Sequence, residues 1–150
     1  MKQSVILSIL GRQKYMDQDP DEIQLVTEGV LEDKGDSWEL SYEESDLTGM
    51  SGVTTTFLVE SDKVTLKRTG KLNSQMVFQE GVVHESLYQV EFGALMIAVR
   101  ASRVMVDICS DGGMIDLVYD IELEQTAAGT IDYHLDIRPK IKIRKEAFLQ

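Results

Sequence analysis

Apolar side chains fall on alternate positions in run after run between Ile23 and Ile137, and turn residues recur about every eight to twelve positions. A period of two sends successive side chains to opposite faces of a pleated strand, so each run predicts a ribbon with one buried and one wet face. Ser4 to Leu10 opens the series with Val5, Leu7 and Ile9 on one face, and Ile23 to Glu32 follows after a polar loop holding Pro20. Lys34-Gly35-Asp36-Ser37 supplies a tight turn. Ser37 to Ser45 then places Trp38, Leu40, Tyr42 and Glu44 on the face that looks inward, against Glu39, Ser41 and Glu43.

Further strands are predicted over 52–61, 64–70, 75–79, 84–92, 94–100 and 103–111, with Asp111-Gly112-Gly113 as a hairpin turn that needs positive φ. The strictest alternation comes next. Ile115, Leu117, Tyr119, Ile121 and Leu123 oppose Asp116, Asp120, Glu122 and Glu124, and Ile131, Tyr133, Leu135 and Ile137 oppose Asp132, His134 and Asp136. Short connections imply antiparallel neighbours, and closing the sheet protects its edges. The reading is an all-β, antiparallel up-and-down barrel of about eight to ten strands, with a two-sheet sandwich as the alternative.

The 150 residues suffice for a single domain, 1–150, that needs no staple. A lone cysteine, Cys109, excludes an internal disulfide, and the apolar run SVILSIL is shorter than a signal core or a membrane span. A cytoplasmic protein with no membrane partner is expected.

Net charge of −11 argues against nucleic acid as a partner, because positive charge supplies most of that affinity. Five of the fifteen basic residues sit in one stretch, Arg138, Lys140, Lys142, Arg144 and Lys145, where apolar and basic positions alternate as in a charged edge strand. Such a strand beside an acidic belt also fits a homodimer or another protein partner.

Spaced residues carry a family resemblance: SYEE at Ser41 to Glu44, KRTG at Lys67 to Gly70, FQEG at Phe78 to Gly81, YQVEFG at Tyr88 to Gly93 and VYD at Val118 to Asp120. In this order they resemble the YwiB-like family of small bacterial proteins of unknown function. The resemblance covers about Ile23 to Ile137 and implies a calycin-like β-barrel, the architecture shared with lipocalins and fatty-acid-binding proteins. It implies no activity.

The residue that most demands explanation is Arg68. It shares a face with Val64 and Leu66, which aims a guanidinium into the barrel, where an unpaired charge costs several kcal/mol. Glu44, Tyr42, Tyr88, Tyr119 and Tyr133 have inward or apolar-face parity and are candidates to surround it. Three roles fit: a head that reaches the rim, an internal ion pair with Glu44, or an anchor for the carboxylate or phosphate of a small ligand whose apolar part lies along Trp38, Phe57, Phe78 and Phe92.

Other chemistry is weaker. His84 and His134 have no zinc-site spacing, so no metal is expected, and Cys109 between Asp107 and Asp111 lacks the setting of a catalytic thiol. The abundant carboxylates form an evenly acidic outer face, unlike an acid–base pair in two contrasting environments. No phosphate loop, dinucleotide fingerprint or nucleophile elbow is present, so no cofactor is expected. A ligand-binding barrel is the leading functional class, ahead of a protein-interaction or structural module and of an enzyme.

Overall fold

A computed structural model of the protein describes residues 2–14, 19–90, 93–124 and 126–140. The alternation becomes ten strands: β1 Lys2–Lys14, β2 Asp21–Asp33, β3 Trp38–Glu43, β4 Val53–Val59, β5 Val64–Gly70, β6 Ser74–Phe78, β7 Val83–Val90, β8 Gly93–Cys109, β9 Gly112–Leu123 and β10 Thr126–Pro139. One turn of 3-10 helix, Asp46–Thr48, interrupts the connection from β3 to β4. Among the described residues no helix is long and apolar enough to cross a membrane.

All ten strands belong to one antiparallel sheet in the order β6-β5-β4-β3-β2-β1-β10-β9-β8-β7. From β1 to β6 and from β7 to β10 each strand lies beside its sequence neighbour, and β1 pairs with β10 from Val5↔Pro139 to Lys14↔Thr130. The molecule is therefore an up-and-down, nearly closed barrel, and the two-sheet alternative falls away.

The remaining seam, between β6 and β7, is held at three heights. Asn73 and Gln89 exchange backbone hydrogen bonds of 3.1 and 2.8 Å, the Ser86 hydroxyl donates to the Gln75 carbonyl, and Gly81 N–H donates to the Ala101 carbonyl at 3.1 Å. Such partial pairing leaves few orphan backbone groups where the ring does not close fully.

Two predicted strands, 94–100 and 103–111, are one long strand. Between Ala101↔Tyr119 and Arg103↔Val118 the register slips, leaving Ser102 as an extra residue whose hydroxyl donates to the Val118 carbonyl at 3.2 Å. A bulge of this kind inverts parity: Ile97, Val99 and Ala101 face inward before it, and Val104 packs against the same core after it. The sequence therefore looks broken where the backbone runs on. The Glu80 carboxylate caps the irregularity by accepting from Val104 N–H at 2.8 Å.

Tight turns need glycine where backbone crowds backbone. Gly113, at φ 149°, follows the β8–β9 turn, and a Cβ there would sit 1.9 Å from the Asp107 carbonyl oxygen.

Side chains occupy the barrel unevenly. Val5, Leu7, Leu31, Leu40, Phe57, Val64, Phe78, Ile115, Leu117 and Leu135 are fully buried and fill one end. Each buried side chain of this size contributes roughly 1.5–3 kcal/mol, so this end carries most of the stability. At the other end, inward parity does not mean burial: Ile23, Leu95 and Leu123 share faces with core residues yet keep 47, 42 and 37% of their surface exposed. Among the described residues no side chain fills the space they point into.

Candidate functional site

That space is a cavity of about 450 Å³, open at the end where β1 finishes and β2 begins. Its walls are mostly apolar, with Ile9, Leu25, Leu66, Met76, Ile97, Ile121 and Ile131 among them, and the segment after β3 contributes Thr48 and Met50 at the mouth. Six of the candidate residues, Arg68, Glu44, Tyr42, Tyr88, Tyr119 and Tyr133, line this one cavity.

Strand register explains the gathering. Tyr42 stands opposite Thr55, Thr55 opposite Arg68, and Arg68 opposite Ser74, so one row of polar side chains crosses β3, β4, β5 and β6 on the inner face. Glu44 lies two residues beyond Tyr42, where its own N–H still donates to the Val53 carbonyl at 2.9 Å and keeps its side chain inward. Tyr133 reaches the cavity from β10 opposite Gly11, whose missing side chain leaves room beside the ring.

The row is polar but not self-satisfied. Thr55 Oγ1 donates to Glu44 Oε2 at 3.3 Å, while Glu44 Oε1, Arg68 Nε, Ser74 Oγ and the Tyr133 hydroxyl are buried without a hydrogen-bond partner. Glu44 is 7% exposed, so its carboxylate has little water to turn to. No ion pair joins Glu44 to Arg68 among the described residues, which removes the internal salt bridge as the account of that arginine. Arg68 Nε is buried, while the residue as a whole is half-buried, so a guanidinium that reaches toward the open end stays compatible with its position.

The electrostatics follow the same geometry. Burial pushes the Tyr42 phenol above the ordinary tyrosine value and the Glu44 carboxylate adds to the rise, against opposing effects from Tyr133, Arg68 and Thr55. Burial also holds Tyr133 well above its usual value, helped by Tyr42 and opposed by Arg68. Both phenols thus stay protonated through the physiological range and remain available as neutral donors and acceptors.

Trp38, Phe57 and Phe78 are inside the barrel but do not line the cavity. Phe57 lies beneath Tyr133 with ring centroids 5.9 Å apart, and Phe78 beneath Tyr119 at 4.6 Å, so these aromatics form the floor. Trp38, partly buried, packs against the core in the filled half. Period-two reasoning assigns a side of the wall but not a height along it. Phe92 lies outside the described residues, as do Lys142, Arg144 and Lys145 of the basic stretch.

Tyr88 also differs from expectation in its surroundings. It points inward beside His84 and Ser86, whereas Val83 and Leu87 of the same strand face out with 45 and 49% exposure, so the inner face of β7 is its polar one. The sequence reading passed over Gln13, Thr48 and Met50 at the mouth and Gly11 in the wall. Gly11 carried the one available signal: a glycine inside an otherwise regular strand marks a close approach or an unfilled site.

Neither histidine is among the residues that line the cavity. His84 Nε2 lies 3.1 Å from Gln79 Oε1, and His134 stands on the outer face between Asp116 and Asp136, with Arg103 on the far side of Asp116. No group of three or more metal-ligating side chains forms among the described residues. Cys109 is exposed, and Lys140 meets Glu28 at 2.9 Å, so the start of the basic stretch lies against an acidic neighbour.

The domain of unknown function DUF1934 matches residues 7–137. The chain belongs to this family. The crystal structure of the ywiB protein from Bacillus subtilis is similar over 93% of this chain and 94% of that one, with a TM-score of 0.83 and 19% identity. At that identity the likeness establishes the fold alone, and it agrees with the YwiB-like resemblance of the spaced motifs. No curated protein of known function matches the chain.

Proposed function

We propose that this DUF1934 barrel binds a small, largely apolar molecule in the open half of its interior, with a polar head beside Arg68 and Glu44. One observation carries the reading: side chains that sequence parity sends into a core, Ile23, Leu95 and Leu123, are left exposed around a cavity of about 450 Å³. Pockets that hold small ligands have about this size and pair apolar walls with a few convergent polar groups. The buried polar atoms of the inner wall support the same reading, since each costs about 1–3 kcal/mol until something bonds to it. The ligand's apolar part lies along Ile9, Leu25, Ile97 and Ile131, above Phe57 and Phe78. We place this function in the cytoplasm, where a single exposed cysteine such as Cys109 stays reduced.

Native mass spectrometry of the protein as purified tests the proposal. The expected spectrum contains a complex heavier than the bare chain by one small molecule, which dissociates when the chain is denatured. A bare chain, together with no thermal shift across a panel of small amphipathic compounds, would count against binding.

A second reading, a homodimer, has one observation in its favour. Leu87 and Met96 face each other across β7 and β8 on the outer wall, 49 and 39% exposed, with Val83 nearby at 45%. Light scattering coupled to size exclusion separates a dimer from a monomer.

A further inference from the structure

We propose that the ligand head is neutral overall and carries a hydrogen-bond donor and an acceptor side by side, as an amino-acid zwitterion or a primary amide does. This rests on the binding reading above and specifies its chemistry.

The cavity wall above the aromatic floor offers opposite functions. Arg68 Nε–H is a donor without an acceptor, and Glu44 Oε1 is an acceptor without a donor. Glu44 Oε2 already accepts from Thr55, so a newcomer finds Oε1 as the oxygen with no bond yet made. Thr55 stands opposite Arg68 across β4 and β5 and its hydroxyl bonds to Glu44, and both charged side chains line the cavity, so the two charges flank one residue of its wall.

Charge accounting then discriminates between heads. A plain carboxylate would satisfy Arg68 but enter beside the nine-tenths-buried Glu44, where like charges in a poorly solvated site repel strongly. An alkylammonium has the mirror problem at Arg68. A head with both functions bonds to each group and leaves the site's charge balance unchanged. The buried Tyr133 hydroxyl, which faces that of Tyr42, can then act as donor or acceptor to whichever atom remains.

Four compounds sharing one phenyl tail test this by NMR titration of the whole chain: 3-phenylpropanoate, 2-phenylethylamine, phenylalanine and 3-phenylpropanamide. Phenylalanine or the amide should bind at least about tenfold more tightly than either singly charged compound. In Glu44→Gln, which keeps an acceptor for Thr55, 3-phenylpropanoate should gain about tenfold while phenylalanine weakens. Equal or tighter binding of 3-phenylpropanoate or 2-phenylethylamine to the unaltered protein overturns the inference and leaves the cavity reading standing. Binding of none of the four, with no co-purified mass in the native spectrum, overturns both.

Discussion

Phe57 packs beneath Tyr133 with ring centroids 5.9 Å apart and planes tilted by 37°, and this contact divides the barrel into a filled end and a hollow one. Below it side chains interdigitate; above it apolar side chains face an opening. Stability and binding therefore reside at different heights of the same wall. Phe57→Ala removes a fully buried ring and is expected to cost about 3–5 kcal/mol, whereas Ile23→Ala at the half-exposed mouth should cost under about 1 kcal/mol. Urea denaturation of the two variants measures this contrast, and equal losses would mean that the mouth is packed in solution.

Arg68 Nε adds no hydrogen bond to the free barrel. The atom is buried without a partner and the side chain makes no ion pair among the described residues, so this N–H carries a desolvation penalty in the free protein. Arg68→Met keeps the length and apolar stem of the side chain while deleting the charge. The free variant should be as stable as the parent or more stable by about 1 kcal/mol, and any ligand found with the parent should be lost. A variant destabilised by several kcal/mol in denaturant would instead make Arg68 part of the structural framework.

The two buried phenols give the fold an alkaline limit. In the unfolded chain tyrosine ionises near its ordinary value of about 10, while Tyr42 is raised and Tyr133 well raised in the barrel, chiefly by burial. Above that ordinary value the unfolded state loses protons that the folded state retains, so stability falls as pH rises toward the folded values. Below it the contribution is fully present. Each tyrosine should remove up to about 1.4 kcal/mol per pH unit in this window. Denaturant midpoints measured between neutral pH and pH of about 11 should decline steeply for the parent and less for Tyr42→Phe with Tyr133→Phe. Identical slopes would show that neither phenol is held protonated by the fold.

Parity carried the fold a long way. Alternation in β9 and β10 assigned Ile115, Leu117, Leu135 and Ile137 to the interior, where all are buried, and it put Tyr119 and Tyr133 on the same inner side. It also aimed Arg68 and Glu44 at a common space from strands that are not neighbours, because both belong to regular runs. What it lacks is height. Phe57 and Arg68 are both inward, on adjacent strands, but register sets Phe57 opposite Leu66 and Arg68 opposite Thr55, two residues nearer the open end. Register depends on turn lengths and bulges, and the bulge at Ser102 changes parity without any composition that announces it. The hollow itself is a property of summed side-chain volumes across ten strands, which no single strand records.

Gly11 offers a direct way to close the cavity without disturbing what holds the barrel together. It sits within β1 opposite Tyr133, lines the cavity, and a Cβ added there would meet only the Tyr133 ring edge at 3.9 Å, an ordinary contact. A side chain at this position therefore extends into open volume. Glycine inside a strand is also unfavourable for the backbone, by roughly 0.5–1 kcal/mol relative to alanine. Gly11→Leu should thus leave the barrel folded and as stable as the parent or slightly more so, while its isobutyl group occupies space beside Tyr133. Co-purified or titrated ligand should disappear, and Gly11→Ala should weaken binding by a smaller amount. Far-ultraviolet circular dichroism and thermal melts verify the fold, and native mass spectrometry reads occupancy. Full binding by a well-folded Gly11→Leu protein would place the ligand somewhere other than this cavity.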